Sequence, residues 1–244
     1  MTGHIIYDGP SRLDGKPIVV IALDKSRNNK TGDMVQTFIV RKDMDPITAN
    51  RTGEDFSICG DCIHRGKPHD GNTGGAKKRS CYVMLLMVLS VFKTYRKGKY
   101  VESMGHDNLR RIGAGKRVRL GTYGDPAAVP SYIWESLLTD SLGHTGYSHQ
   151  FNIKSSDFRA DMFMRSADSL DEAKQAWAMG QRTFRVTTNV RDIVKGKEII
   201  CPATAEGGKR TTCEDCLLCA GTSKQAKSIV VAVHGAGKSN YASA

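Results

Sequence analysis

Seven cysteines fall into two groups along the chain. Cys59-Gly-Asp-Cys62 is followed, after eighteen intervening residues, by Cys81; Cys201 is followed by Cys213-Glu-Asp-Cys216-Leu-Leu-Cys219. Two residues between thiols let both sulfurs of a turn face one metal ion or one cluster edge, the spacing that recurs in zinc and iron–sulfur sites. Scattered core thiols have no reason to pair repeatedly at that interval. Three thiolates leave a coordination position open for chemistry, whereas four close a site. The expectation is metal ligation by Cys59, Cys62, Cys81, Cys201, Cys213, Cys216 and Cys219, with an iron–sulfur cluster or zinc as the cofactor. His64 and His69, in the loop before Cys81, could complete a zinc tetrahedron with the first group.

Composition bounds the setting. The chain has 244 residues, enough for one sizeable domain or one with a small appendage, and 39% hydrophobic content is ordinary for a globular protein. The longest apolar run, around Tyr82–Phe92, is too short to cross a membrane, so no membrane partner is expected. The N-terminus lacks a basic-then-apolar secretory layout, which points to the cytoplasm, where clustered cysteines bind metal more often than they pair. A formal net charge of +11 makes a nucleic acid a candidate partner through a basic surface.

The elements that must position the thiols read as α/β. Residues 1–45 form a β region, with strands at Pro17–Leu23 and Met34–Val40 joined by a basic turn over 24–33. Residues 46–116 are expected to hold an irregular cysteine loop ordered by metal, a buried helix over 81–96 carrying Val83, Leu86, Met87 and Val91, and a basic connector over 109–116. From 117 to 244 strand and helix alternate: strands at 117–123, 144–150, 162–165, 183–187, 198–201 and 228–233, a helix opened by Pro130, and a helix opened by the capping box Ser169-Leu-Asp-Glu172 and closed by Gly180. Such alternation predicts parallel strands with crossover helices, a complete or partial (β/α) barrel, with a doubly wound sheet as the competitor.

Working residues in such barrels gather at the carboxyl ends of strands. Asp125, His149 and Arg165 are the candidate catalytic groups there, and Tyr123, Gly124 and Gln150 the candidate cofactor-binding positions. Ser166, Thr187, Thr188, Asn189, Cys201 and His234 share that level, which would place both cysteine groups on one rim. Val233-His-Gly-Ala-Gly-Lys-Ser239 evokes a phosphate loop, but position 232 is Ala where that loop needs Gly, and the chain stops five residues after Ser239. Nucleoside-triphosphate hydrolysis is excluded.

Two resemblances follow. Tyr7-Asp-Gly-Pro-Ser11, Asn29-Lys-Thr-Gly-Asp-Met-Val-Gln36, Ile58-Cys-Gly-Asp-Cys-Ile-His-Arg65, Cys81-Tyr-Val83, Gly121-Thr-Tyr-Gly-Asp-Pro-Ala-Ala-Val-Pro130, Tyr147-Ser-His-Gln150, Phe184-Arg-Val186 and Cys201-Pro-Ala203 together resemble a family of cysteine-rich proteins of bacteriophages and mobile elements. That likeness implies no activity. Three cysteines before a helix, then a strand ending Gly124-Asp125 with Val129-Pro130 after it, are similar to radical-SAM proteins. This second likeness implies a [4Fe–4S] cluster on Cys59, Cys62 and Cys81, S-adenosylmethionine at its open iron, and an auxiliary cluster or structural zinc on Cys201, Cys213, Cys216 and Cys219. The family writes its three cysteines as CxxxCxxC, and here the third stands far downstream. The expected function is a radical-SAM-like enzyme acting on a nucleic acid or nucleotide; the alternative is a zinc-stapled nucleic-acid-binding protein without catalysis.

Overall fold

Pro17–Leu23 (β2 below) and Val35–Arg41 (β3) are β-branched runs buried on both faces, from Ile18 to Ala22 in one and throughout the other. Strands of that kind need cover above and below. A computed structural model of the chain, which describes residues 2–25, 28–151, 159, 161–222 and 224–241, pairs the two antiparallel, as expected of a hairpin. Arg27 of its basic turn lies outside the described residues. Gly3–Pro10 (β1) adds a strand not foreseen, antiparallel to β2.

The next stretch departs from expectation. In place of an unbroken loop stand Pro46–Thr52 (α1) and Phe56–Cys59 (α2). Asp45 accepts hydrogen bonds from the Ile47 and Thr48 amides, Pro46 fits the first turn, and Gly53 at φ 82° ends the helix. The polar segment that follows is ordered by Arg65. Its guanidinium donates to Asp55 Oδ1 and to the carbonyls of Gly53 and Gly60, each at 2.7 Å. Protein hydrogen bonds thus hold much of the shape that metal was expected to hold.

Leu85–Arg96 (α3) is a helix, but not a buried one: Val88 and Phe92 face the core, whereas Leu86 and Met87 are 73% and 59% exposed. Val101–Glu102 (β4) pairs parallel with β1. The expected connector is largely a helix, His106–Gly113 (α4), with Leu109 and Ile112 buried and Arg110 and Arg111 outward.

From Arg117–Tyr123 (β5) onward the expected alternation holds: Ser131–Leu138 (α5), Gly143–Thr145 (β6), Tyr147–Ser148 (β7), Met164–Ala167 (β8), Leu170–Ala178 (α6), Thr183–Thr187 (β9), Glu198–Ile200 (β10), Cys213–Cys216 (α7) and Ser228–Ala232 (β11). Ser169 caps α6 by accepting from the Glu172 amide. One sheet runs β4-β1-β2-β3-β5-β6 and the other β10-β11-β9-β8-β7. Gly146 links them, its amide bonded to Cys219 O and its carbonyl to the Met164 amide, both at 3.0 Å. The molecule is a mixed α/β fold with parallel strands and helices. Two features depart from a simple repeat. β3 pairs with β5, so residues 1–45 and 117–244 contribute to one sheet. The last strand, β11, inserts between β9 and β10, so spatial order does not follow chain order.

Candidate metal centre and its cavity

Because β5, β7, β8, β9 and β11 run parallel to their neighbours, their carboxyl ends gather on one side. A cavity of about 160 Å³ lies there, walled by Tyr123, Gly124 and Asp125 after β5, His149 after β7, Ser166 and Asp168 at β8, and Val233 and His234 after β11. Cys59, Cys62 and Cys81 all line it. The long excursion between Cys62 and Cys81 returns to its own start. Lys67 and Lys77 exchange backbone hydrogen bonds at 2.7 and 2.9 Å, and His64 O accepts from the amides of Ser80 and Cys81. The third thiol is therefore brought beside the first two despite its distance in sequence.

No disulfide forms among the seven cysteines. Burial pushes the Cys59 thiol well above its ordinary pKa, and the neighbouring Asp55, Cys62 and Cys81 add to the rise. Cys81 is raised by burial against the opposing pull of Arg79. A metal bound here must displace thiol protons. Tyr123 Oη, buried in the same wall, has no hydrogen-bond partner among the described residues. Its hydroxyl is thus open to a hydrogen bond from a group entering the cavity beside the thiols.

The other candidates separate by what they touch. Asp125 lines the cavity, yet both its oxygens are committed: Oδ1 accepts from the Ala127 amide at 3.0 Å and Oδ2 from the His149 amide at 2.8 Å. It positions His149. Gly124, at φ 85°, has no room for a Cβ, which would sit 2.7 Å from Ile39 Cβ, so the loop after β5 can press against β3 and bring the Asp125 amide to Ile58 O of α2 at 2.6 Å. Gln150 is buried outside the cavity and donates to Cys59 O at 3.2 Å, bracing the turn that presents Cys59. Arg165 is not in the site. Successive strand residues face opposite ways; Ser166 meets the cavity, while Arg165 lies over the Phe151 ring at 5.6 Å and near Gln181. Thr187 and Cys201 also lie outside the cavity wall.

The four-cysteine group is elsewhere, so the two groups do not share a rim. Cys201 and Cys219 are buried with Met164, Ile229 and Val231. The α7 turn docks at the amino-terminal ends of strands: the Cys213 amide donates to Lys30 O, Glu214 accepts from the Asp33 amide, and Leu217 closes over Gly143. Cys219 is pushed up to about 12 by burial, with Cys201, Cys213 and Cys216 near enough to raise it further. Between the two groups lies Arg119, 8% exposed, donating to Tyr82 Oη at 2.7 Å and resting on the Tyr147 ring at 5.5 Å. Its charge is felt by Cys213.

Sequence reasoning missed Asp168 and placed His64 with the thiols. His64 instead turns to Asp168, Nε2 to Oδ1 at 2.8 Å, and His149 Nε2 stands 3.3 Å from Oδ2. Burial would raise the Asp168 carboxyl; the hydrogen bonds from His149 and His64 outweigh it and hold it well below the usual range. Burial would lower His149, but Cys62, at 3.9 Å from Nε2, and Asp168 raise it well above the ordinary imidazole value. The signal available in the sequence was position alone: Asp168 follows β8 at its carboxyl end. His69, bonded to Gly75 O, plays no part in the cavity.

Comparison with family models, with curated proteins and with solved structures returned no match.

Proposed function

We propose that the chain is an iron–sulfur protein of radical-SAM-like type, with Cys59, Cys62 and Cys81 holding the working cluster and a nucleotide or nucleic acid as substrate. The observation that carries this reading is the convergence of three thiols, and no fourth, on a cavity at the carboxyl ends of parallel strands. Three thiolates with an open position are a donor set that a polynuclear group can use. A single zinc with bonds of ~2.3 Å holds its sulfurs about 3.8 Å apart. Among the described residues, however, His64, His149 and Asp168 form the one group of three ligand atoms lying within 4.8 Å of one another. Neither cysteine group is drawn together as tightly as that.

A bound cluster supplies one-electron chemistry. The chain's own residues do the rest. Phe184, Val186, Val231 and Val233 give the cavity an apolar wall. Tyr123 Oη is available to hydrogen-bond a bound group, with Gly124 beside it as the proposed S-adenosylmethionine wall. Asp125 and Gln150 hold His149 and the Cys59 turn in place. Cys201, Cys213, Cys216 and Cys219 hold the auxiliary cluster or a structural zinc.

Anaerobic purification tests this. Expected are brown protein with iron and acid-labile sulfide in equal amounts, and loss of the cavity's share in Cys59→Ser. Colourless protein carrying zinc and no iron, with polyanion affinity falling steeply as salt rises, would establish the second reading, a zinc-stapled nucleic-acid binder. The net charge of +11 favours that one.

A further inference from the structure

We propose that His64, His149 and Asp168 form a mononuclear site for a divalent first-row transition metal ion, distinct from the thiolate centre beside it. The proposal goes beyond the iron–sulfur reading and does not require it. The ligand atoms come from three separate places: the 3-10 turn Ile63–Arg65, the end of β7 and the end of β8. They converge within 4.8 Å of one another. Metal bonds of ~2.0–2.2 Å to imidazole and carboxylate put adjacent donors about 3 Å apart; His64 Nε2 lies 2.8 Å from Asp168 Oδ1 and His149 Nε2 3.3 Å from Oδ2, one oxygen of the carboxylate facing each ring.

Each ligand is also held from behind, as metal ligands are. His64 Nδ1 meets Ser80 Oγ at 2.9 Å, so Nδ1 can carry the ring proton and leave Nε2 free to ligate. The Tyr241 ring stacks on His64 with centroids 5.5 Å apart and planes 15° from parallel. Asp125 fixes the His149 backbone, and the Asp168 amide donates to Glu172 Oε2 at 2.7 Å. All three ligands face the cavity, so open coordination positions would meet whatever enters it.

Two imidazoles and one carboxylate suit iron(II), manganese(II) or zinc, and a facial set of this kind leaves positions for small ligands. The Cys62 thiol stands 3.9 Å from His149 Nε2.

Manganese(II) separates this site from the cysteine groups, because carboxylate and imidazole suit it and thiolates do not. The intact chain is titrated anaerobically with Mn2+ and read by electron paramagnetic resonance. Expected is one saturable ion per chain, with nitrogen couplings from histidine in pulsed spectra. Binding should persist in Cys59→Ser/Cys81→Ser and weaken by about tenfold to a hundredfold in Ser80→Ala, as for outer-shell partners. It should be lost in Asp168→Asn. Absence of saturable binding, or of nitrogen coupling in the wild-type complex, overturns the proposal without recourse to any variant. So does Mn2+ binding that survives Asp168→Asn, or that disappears with the two cysteines. Failure of the iron–sulfur reading shows in iron and sulfide content instead, and leaves this titration unaffected.

Discussion

Gly60, at φ 53° and ψ −134°, sits between the first two thiols in a conformation that side chains avoid. A Cβ there would also overlap the Gln150 amide that braces Cys59. Gly60→Ala should therefore cost about 1–3 kcal/mol and lower metal incorporation at the cavity; denaturant unfolding and metal analysis check both, and unchanged values would remove Gly60 from the site's architecture. At this scale the thiols were legible, because spacing alone announces a CxxC turn. Asp168 was not, since its meeting with His64 and His149 is made by tertiary closure. Arg165 was misplaced for a plainer reason: it and Ser166 are neighbours on a strand, and only one of any such pair can face the cavity.

Helix α3 illustrates what pattern cannot resolve. Apolar residues occur around most of its circumference, so the sequence could not say which face was covered. Val88 and Phe92 are, and Leu86 is not. Phe92→Ala should cost about 3–5 kcal/mol, whereas Leu86→Lys should stay within about 0.5 kcal/mol of wild type, both read by chemical denaturation. Comparable losses would mean that the exposed face is covered in solution. The end of β3 shows a second dependence between elements. Buried Arg41 donates to Asp43 at 2.7 Å and to Glu54 at 2.8 Å, tying the strand to the segment linking α1 and α2. The bond to Arg41 lowers the Asp43 carboxyl, and bonds to Lys16 and then Arg41 lower Glu54. For carboxyls depressed on folding, the contribution is complete above the unfolded value and disappears as pH falls through the folded one. Melting temperature should drop below about pH 4, and less so in Arg41→Met; an equal acid slope in both would exclude this clamp. Both carboxylates are partly exposed, so added salt should weaken the effect. The caps at Asp45 and Ser169 were both written in the sequence; the first went unread because the stretch after it is polar and aperiodic.

Across the whole molecule, β5 carries the cavity at its carboxyl end and receives α7 near its other end, where Arg117 approaches Glu214 at 3.8 Å. Disrupting the four-cysteine group should therefore loosen the β2–β3 loop as well. Cys216→Ala is expected to lose metal and to speed hydrogen exchange at the Asp33 amide, which bonds Glu214; unaltered exchange would show that the docking needs no metal. Alternation of strands and helices made the α/β class and parallel strands readable in advance. The insertion of β11 between β9 and β10 was not, because pairing order is decided by packing rather than by local pattern. Arg119 has a consequence for the unloaded chain. Among the described residues this interior guanidinium is met by the Tyr82 hydroxyl and the Tyr147 ring rather than by a carboxylate, and a buried cation without an opposing charge is costly to keep. On the proposed reading, metal-bound thiolates at Cys213 and Cys219 would oppose that charge, and protonated thiols would not. Arg119→Met should then raise the melting temperature of chelator-treated protein more than that of untreated protein, and equal shifts would exclude any link between this guanidinium and what the thiols hold.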